Sequence, residues 1–375
     1  MSTNSTTEHI QEDAVQNKSV EPSQGYFKTK IVWFNLLGFL AMHLIGSIGG
    51  LYCLFHMKVL TFFWTFLLVF LGGIGITVGA HRLFTHRSYK AVWGFRLFLI
   101  ILQTLAGQNC LYIWVRDHRQ HHKYSDTDAD PHNSQRGFFF SHIGWLMMRK
   151  HPDVKNTWKH IDLSDLEADP LVMFQKKYYK PLYVIFAMTI PIGVPLLWGE
   201  TLFNSVVICF FSRYIIQLNG TWLVNSYAHF FGNRPYNKDI RPVEAILVSI
   251  IALGEGWHNY HHCFPWDYRT SEYGRFFNPS TYIIDTAARL GWVYGLRTAP
   301  LEMIRLRAQK RGDGSHVIWG ENAQNSEKLK GGIDVHKDDG YASVGDEIQS
   351  GNEKTPSPII DNGTHHRRRR LVQQG

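Results

Sequence analysis

The chain has few cysteines, and their spacing is not typical of disulfide frameworks or thiolate metal sites. Its 375 residues include four, at Cys53, Cys110, Cys209 and Cys263, and no two of them form a C-x-x-C pair. A small set without paired spacing argues against a secreted, disulfide-stabilised fold and against a zinc site built on thiolates. The sequence therefore favours a reducing, cytosol-facing chemistry.

Charged residues are missing from long stretches of the chain. Residues 31–55 and 59–80 contain no Asp, Glu, Lys or Arg, and Arg213 is the one charged residue in the runs 181–198 and 202–227. A helix of about 18 or more apolar residues can cross a bilayer. These runs predict an all-α membrane protein with four transmembrane helices in two hairpins. Arg213 is expected to face protein or water, because a charge in lipid is costly.

Basic residues predict the orientation of these spans. Lys28 and Lys30 precede the first span, the turns 56–58 and 199–201 are very short, and the segment 114–180 is rich in Arg and Lys. By the positive-inside rule, both termini and this middle segment face the cytosol. The polar N-terminal start shows no cleavable signal peptide. The net charge of +8 is then explained by membrane flanks, without a nucleic-acid partner.

Composition divides the chain into three parts. We expect a polar cytosolic tail at residues 1–30, a membrane domain at 31–311 and a disordered basic tail at 312–375, which ends in an arginine run. Within the domain, two interrupted apolar runs, 91–113 and 242–254, are predicted to be helices on the membrane surface or packed on the cap.

Histidines recur in metal-ligand patterns. The motif H-x-x-H-H occurs twice, at His118, His121 and His122 and at His258, His261 and His262. Positions i, i+3 and i+4 share one helix face, so each motif is expected to present three imidazoles to one point. His81 and His86, and the pair Asn225 and His229, bring the set to nine histidines and one asparagine. Nine imidazoles exceed the ligand number of one ion, which indicates two metals, and imidazole alone leaves zinc, copper, iron and nickel open.

The sequence allows less specific predictions for the other histidines and for the acidic residues near the motifs. Isolated histidines are expected to be structural, and they are His43, His56, His132, His142, His151 and His160. Asp126, Asp128, Asp130 and Glu255 either belong to solvated loops or accept hydrogen bonds from metal-bound imidazoles, and the sequence leaves both alternatives open.

The chain resembles the membrane acyl-CoA desaturases, of the stearoyl-CoA delta-9 type and their insect relatives. The resemblance extends from about Lys30 to Gly314. It is carried by GAHRLFTHRSY at 79–89, RDHRQHHKYSDTDADPHN at 116–133, NSYAH at 225–229 and GEGWHNYHH at 254–262.

This resemblance implies a function and a cofactor. It implies four transmembrane helices under a cytosolic cap in the endoplasmic reticulum membrane, and a di-iron centre that uses O2 and electrons from cytochrome b5 and its NADH-dependent reductase. It implies that Asn225 acts through water and that the catalytic metal ligands are His81, His86, His118, His121, His122, His229, His258, His261 and His262.

The resemblance also implies where fatty acyl-CoA binds. The matched positions are Asn35, Asn109, Arg116, Asp117, Arg149, Lys150 and Trp222. Arg116, Arg149 and Lys150 suit phosphate and adenosine groups. Where vertebrate relatives have a tyrosine in the second span, this chain has Val69, one turn from Gly73, which implies a deeper acyl slot. A cis double bond in a saturated chain of 16–18 carbons is expected, with delta-9 as the default and delta-11 open.

Three rival functions share some of these sequence features. A di-iron acyl hydroxylase or acetylenase would share the metal site. A histidine-rich metal transporter would need ligands near mid-membrane, whereas these gather at one face. A receptor with a structural zinc site would need about four ligands rather than nine.

Overall fold

The structure, a computed structural model, describes residues 28–320. The predicted tails at residues 1–27 and 321–375, with the arginine run, lie outside the described residues. In the described part, the long helices are α1 Trp33–Leu54, α2 Val59–Thr85, α3 Trp93–Ala106, α4 Leu111–Tyr124, α5 Tyr179–Leu196 and α6 Leu202–Phe230. The later helices are α7 Ile246–Ile251, α8 His258–Cys263, α9 Pro279–Arg289 and α10 Leu301–Arg311. Strands Lys90–Ala91 and Val293–Tyr294 pair antiparallel. Short helical segments between α4 and α5 are Ser134–Arg136, Phe140–Gly144, Trp145–Met147, Pro152–Thr157, Trp158–His160, Ser164–Glu167 and Pro170–Lys177.

Helices α1, α2, α5 and α6 confirm the four predicted spans. Each is long and apolar enough to cross a membrane, and large apolar side chains such as Phe34, Leu51 and Phe63 lie exposed on their surfaces, where lipid would surround them. α2 and α6 continue past the predicted ends at residues 80 and 227. Their last turns therefore carry His81 and His229 into the cap, which we define as residues 86–178 and 231–320.

The two hairpins are fastened together at the turns opposite the cap. Glu200 is buried, and its carboxylate accepts hydrogen bonds from the Lys58 backbone N–H and the Thr61 hydroxyl, both at 2.7 Å. Asn204 donates to the same carboxylate at 2.9 Å. One buried acid thus satisfies donors from both hairpins, which fixes the spans relative to each other.

Arg213 faces protein, as the sequence predicts. It is fully buried, and its guanidinium donates to three backbone carbonyls, those of Cys209, Leu105 and Ala187, at 2.8–3.0 Å. These carbonyls belong to α6, α3 and α5. The charge is therefore solvated by peptide dipoles, and it ties three helices together.

The predicted surface run 91–113 forms a bent pair instead of one helix. α3 packs on α2 with buried residues such as Leu99 and Leu102, and it meets α4 at 84°. Gly107 and Asn109 make the turn with φ of 72° and 71°, and Tyr214 donates to the Gly107 carbonyl at 2.7 Å. By length and composition this pair could count as a fifth, broken span.

The start of the predicted C-terminal tail is packed. His316 is 2% exposed, and Trp319 packs against a small core of cap residues that includes Tyr236, Tyr260 and Phe264. The fold thus extends past the expected boundary at residue 311, because an imidazole and an indole in an otherwise polar segment find an apolar site.

Candidate metal centre

His81 and His86 are brought together by an unusual helical turn. α2 changes from α-helix to π-helix over Gly75–Thr85, and the His86 N–H donates to the His81 carbonyl, five residues back, at 3.1 Å. A π-helical turn places i and i+5 near each other, whereas an α-helix separates their directions by about 140°. The two imidazole rings consequently lie 4.8 Å apart, centroid to centroid.

Each H-x-x-H-H motif is divided between two histidine groups. The first group contains His81, His86, His118, His122 and His261, and the second contains His121, His229, His258 and His262. The expectation that each motif aims three imidazoles at one point was therefore wrong. Positions i+3 and i+4 lie about 100° apart around a helix, so they straddle the face that position i occupies. In α4 and in α8, i and i+4 join one group and i+3 joins the other.

The geometry of each group is compatible with a bound metal ion. In each, the nitrogen atoms that could serve as ligands lie within 4.8 Å of one another. The Nε2 atoms of His81 and His261 are 3.0 Å apart, and so are those of His261 and His122. Two ligands at roughly 2.1 Å from an ion and at right angles lie about 3 Å apart. The spacing therefore fits nitrogens that surround one ion.

The donor chemistry also fits a metal. The Nε2 atoms of His86 and His118 are buried without a hydrogen-bond partner among the described residues, which is costly unless a cation takes their lone pairs. Burial lowers the pKa of His258, His261 and His262 well below the usual value, and neighbouring imidazoles lower it further. Neutral imidazole is the form that binds metals.

Three carboxylates contact the outward nitrogens of these imidazoles. Nδ1 of His81 lies 2.8 Å from Glu255, and Nδ1 of His229 lies 3.3 Å from Asp126. Nδ1 of His121 is hydrogen-bonded to Asp130 at 2.9 Å. Acceptors at Nδ1 keep Nε2 unprotonated and aimed at the metal. Glu255, Asp126 and Asp130 are therefore buried against imidazoles rather than placed in solvated loops.

The fourth acid of the set has a different contact. Asp128 pairs with Lys28 at 2.8 Å, and both side chains are partly exposed. Asp128 thus belongs to the solvated alternative, although only one residue separates it from Asp130.

Glu255 also neutralises a buried arginine. Arg82, fully buried, donates to Glu255 Oε1 through Nε and Nη2, at 3.1 and 3.0 Å. Burial opposes the charge of Glu255, but Arg82 and His81 outweigh it and lower the pKa of the carboxyl. The Glu255 carboxylate therefore contacts both the candidate metal ligand His81 and the buried guanidinium of Arg82.

His132 was expected to be structural, yet it stands beside the second group. Its ring lies 4.4 Å from that of His121, its Nδ1 lies 3.5 Å from Asp130, and it lines a cavity. Burial and the neighbouring His121 together lower its pKa to about 3. The sequence does contain one indication of this position, because His132 lies two residues after Asp130 and one carboxylate can contact two histidines.

The cavity that reaches the histidines has a volume of about 550 Å³. Apolar and aromatic side chains from α1, α4, α5 and α6 form most of its wall, and His118 and Asn225 are part of its lining. Gln108 bridges the wall by donating to Thr221 at 2.7 Å. A long apolar chain could occupy this space with one part close to the metals.

Most of the predicted substrate residues lie at this cavity. Asn109, Asp117 and Trp222 line it. Arg116 and Lys150 both pair with Asp117, at 2.7 and 2.9 Å.

Two predicted substrate residues lie farther out. Asn35 donates to the carbonyl of Leu146, a lining residue, at 2.8 Å. Arg149 is exposed, and its backbone N–H donates to the Lys30 carbonyl.

A second, shallower depression approaches the histidines separately. It is lined by His86, Trp266 and three arginines, Arg87, Arg119 and Arg297. Arg119 is held by Asp165 at 2.7 Å, while Arg297 is exposed. The first histidine group can therefore be approached by way of His86 as well as through the substrate-sized cavity.

Comparison with known proteins agrees with this geometry. Residues 58–279 match the model of the fatty acid desaturase family. The chain is 51% identical over 296 residues to an acyl-CoA Delta-9 desaturase of Acheta domesticus, covering 78% of this chain and 82% of the relative. It is 52% identical to the stearoyl-CoA desaturase of Homo sapiens, with 77% and 80% covered, and 47% identical to an acyl-CoA Delta(11) desaturase of Spodoptera littoralis, with 82% and 92% covered. With the histidine groups, the four spans and these matches in agreement, the chain belongs to the fatty acid desaturase family.

Proposed function

We propose that this protein is an acyl-CoA desaturase that introduces a cis double bond into a saturated fatty acyl chain. The observation that carries the proposal is the cavity whose lining includes His118 and Asn225. Such a cavity holds an unreactive methylene next to a metal centre and excludes bulk water. The names of the relatives, all desaturases of acyl-CoA or stearoyl-CoA, support the same reaction.

The metal pair is proposed to be iron. The five and four histidines of the two groups would hold the two ions, with Asn225 close enough in sequence to His229 to serve through water. When bound, iron with O2 supplies an oxidant strong enough to remove hydrogen from an unactivated methylene, which no side chain can do alone. The protein's own contribution is to fix the imidazoles: Glu255, Asp126 and Asp130 hold His81, His229 and His121 through Nδ1.

The coenzyme part of the substrate is proposed to bind at the cytosolic rim of the cavity. Arg116 and Lys150 stand on either side of Asp117, each within 2.9 Å of it, and Arg149 is exposed beside them. The single negative charge of Asp117 orients the side chains of Arg116 and Lys150 but neutralises only one of their two positive charges. This leaves net positive charge for the phosphates of CoA, while Trp222 and Asn109 line the path of the acyl chain.

Substrate length and bond position are proposed with the family default, delta-9 in chains of 16–18 carbons. Relatives named for Delta-9 and Delta(11) are 51% and 47% identical to this chain, so overall identity supports both positions. The acyl slot is proposed to be deep near Val69, which is partly buried. A side chain added at neighbouring Gly73 would lie 2.8 Å from Leu253. Leu253 is thus a candidate for the wall that ends the slot.

Electrons are proposed to come from cytochrome b5 and its NADH-dependent reductase, with the cap and both termini in the cytosol and the protein in the endoplasmic reticulum membrane. The basic depression at His86 supports this route, because an acyl chain would occupy the other approach to the metals. Arg87 and Arg297, both exposed there, would attract an acidic carrier.

Expression in a yeast strain that lacks its own desaturase tests the proposal. Total fatty acids are separated by gas chromatography, and mass spectrometry assigns each double-bond position after chemical derivatisation. We expect a new cis-monoene, and we expect it to disappear in His121→Ala and His261→Ala, one from each histidine group. Hydroxylated fatty acids would show that the enzyme is a hydroxylase instead of a desaturase. Unchanged fatty acids, with the protein and its electron donor present, would refute the proposal.

A further inference from the structure

The C-terminal end of the described chain, residues 311–320, lies against a loop of the cap at residues 234–238. The Lys238 N–H donates to the Arg311 carbonyl at 2.8 Å. Asp313 binds Arg234 twice, since its carboxylate accepts from the Arg234 N–H at 2.6 Å and its own N–H donates to the Arg234 carbonyl at 3.1 Å. We call residues 311–320 the C-terminal clamp.

The fit between the clamp and this loop is close. An added Cβ at Gly312 would lie only 2.2 Å from the Pro235 carbonyl oxygen. No side chain fits between the two backbones at that point. The contact is therefore a specific backbone-to-backbone pairing rather than a loose surface contact.

His316 locks the end of the clamp in place. Its Nδ1 accepts hydrogen bonds from the N–H groups of Ile318 and Trp319, both at 3.1 Å, and its ring stacks on Trp319 at 4.6 Å. Its Nε2 lies 2.8 Å from Glu272. With both nitrogens in polar contact and the residue 2% exposed, His316 fixes a segment that has no regular helix or strand.

The loop held by the clamp in turn holds the metal-binding helix α8. Asn259 accepts from the N–H groups of Tyr236 and Asn237, at 2.9 and 3.1 Å. Its amide nitrogen donates to the carbonyls of Asn237 and Pro242, both at 2.9 Å. Asn259 is completely buried. Every hydrogen-bonding position of this side chain is used to join α8 to the segment 236–242.

Helix α8 needs such support because it is short. It has six residues, far below the length at which a helix is stable alone. It nevertheless supplies His261 to one histidine group and His258 and His262 to the other. Asn259 stands between these ligands in the sequence, so a shift of this residue would move ligands of both metals.

We propose that the C-terminal clamp is a positioning element for the metal centre, and that it acts through the loop 234–238 and Asn259 to hold His258, His261 and His262 in place. The proposal rests on the proposed metal centre. It assigns positioning roles to Asp313, His316 and Asn259, none of which faces the metals.

The test uses full-length protein in detergent, loaded with iron, and follows two quantities. One is the rate of metal loss to an excess of chelator. The other is hydrogen–deuterium exchange of residues 258–263, which reports the mobility of α8 whether or not metal is bound. Asp313→Ala is expected to speed metal loss about tenfold, as the loss of the charge-assisted hydrogen bond from the Arg234 N–H would, and to raise exchange in α8. Val317→Ala, a change at a 72% exposed position of the same clamp, is the matched control and should match the wild type.

A double variant separates positioning from general stability. If the clamp acts through Asn259, Asp313→Ala adds no further metal loss in an Asn259→Ala background, because the connection is already broken. Additive effects would overturn the proposal, since they would mean independent contributions to stability. Substitutions in the C-terminal clamp should lower kcat with little change in the KM for acyl-CoA.

Milder variants cover the case in which Asp313→Ala does not fold. Asp313→Asn can still accept one hydrogen bond and should lose metal at an intermediate rate. His316→Gln, which keeps an acceptor and a donor, should lose metal more slowly than His316→Ala. Wild-type rates of metal loss and of α8 exchange in all folded clamp variants would refute the clamp. Absence of bound metal in the wild type would refute the metal centre instead, and the exchange data would still decide the clamp.

Discussion

Replacing Asp130 by asparagine should weaken the second histidine group specifically. The Asp130 carboxylate accepts hydrogen bonds from the His121 Nδ1 at 2.9 Å, the Asp126 N–H at 2.8 Å and the His132 N–H at 3.0 Å. Burial opposes its charge, but His121 and His132 more than offset this, and the pKa of the carboxyl lies below its ordinary value. Every group around it is a donor, so an amide cannot replace it fully.

The expected loss follows from this geometry. If the amide NH2 takes the place of Oδ2, it faces the Asp126 N–H and the His121 Nδ1, and His121 must move its proton to Nε2, where it blocks metal binding. If the NH2 takes the other place, it faces the His132 N–H. Either arrangement leaves a buried donor unpaired, at about 1–3 kcal/mol. Loss of an acceptor behind a metal-bound imidazole costs about 10–100-fold in metal affinity, which is about 1.4–2.8 kcal/mol.

Competition with a chromophoric chelator measures this affinity in purified protein. We expect Asp130→Asn to lose one of two ions at a lower chelator concentration than the wild type, while the other ion stays bound. Asp128→Asn is the matched control, since Asp128 contacts Lys28 and His151, and His151 belongs to neither histidine group; this variant should retain both ions. Equal metal affinity in the Asp130 variant and in this control would refute the role of the carboxylate.

Three further predictions concern other groups around the site. Glu255→Gln removes the counter-charge of buried Arg82, so the free energy of unfolding should fall by about 3–5 kcal/mol; thermal melting checks this, and Arg82→Met in the same chain should recover part of the loss. Burial raises the pKa of Glu244 from 4.5 to about 8 in the folded protein. The folded protein therefore keeps the Glu244 proton up to about pH 8, whereas the unfolded chain releases it above about pH 4.5. Wild-type stability should consequently decline between pH 5 and 8. Glu244→Gln should flatten this decline, and melting curves that keep the wild-type pH dependence would contradict the assignment. Lys150→Ala should raise the KM for acyl-CoA severalfold with little change in kcat, and this difference should vanish with an acyl-pantetheine substrate that lacks the CoA phosphates.

Residue type and spacing were enough to predict the four spans and the imidazole chemistry of the candidate metal centre. Runs without charged residues cross a bilayer whatever their neighbours are, because helical backbone satisfies its own hydrogen bonds. The ten ligand candidates follow from residue type and spacing, and Arg213 could be assigned to a protein environment from its cost in lipid alone. These are local properties of the chain, so they can be predicted without knowing which residues pack against each other in the fold.

The division of the histidines into two groups depends on the tertiary structure. His121 and His261 leave the groups of their own motifs because α4 and α8 approach each other, and a helix face about 100° wide then serves both groups. The five-residue spacing of His81 and His86 makes sense only with the π-helical end of α2, which the packing of the cap on the spans stabilises and the spacing cannot reveal.

The supporting contacts were likewise beyond sequence reasoning. Asp126 and Asp130 hold imidazoles whereas Asp128 pairs with a lysine, although the three alternate within five residues of one loop. Asn259 meets a segment about 20 residues earlier, and that segment is paired with residue 313. Residue type fixes what a side chain can bind, but only the folded chain sets which partner lies within 3 Å, since a hydrogen bond or a metal bond is lost within a fraction of that distance.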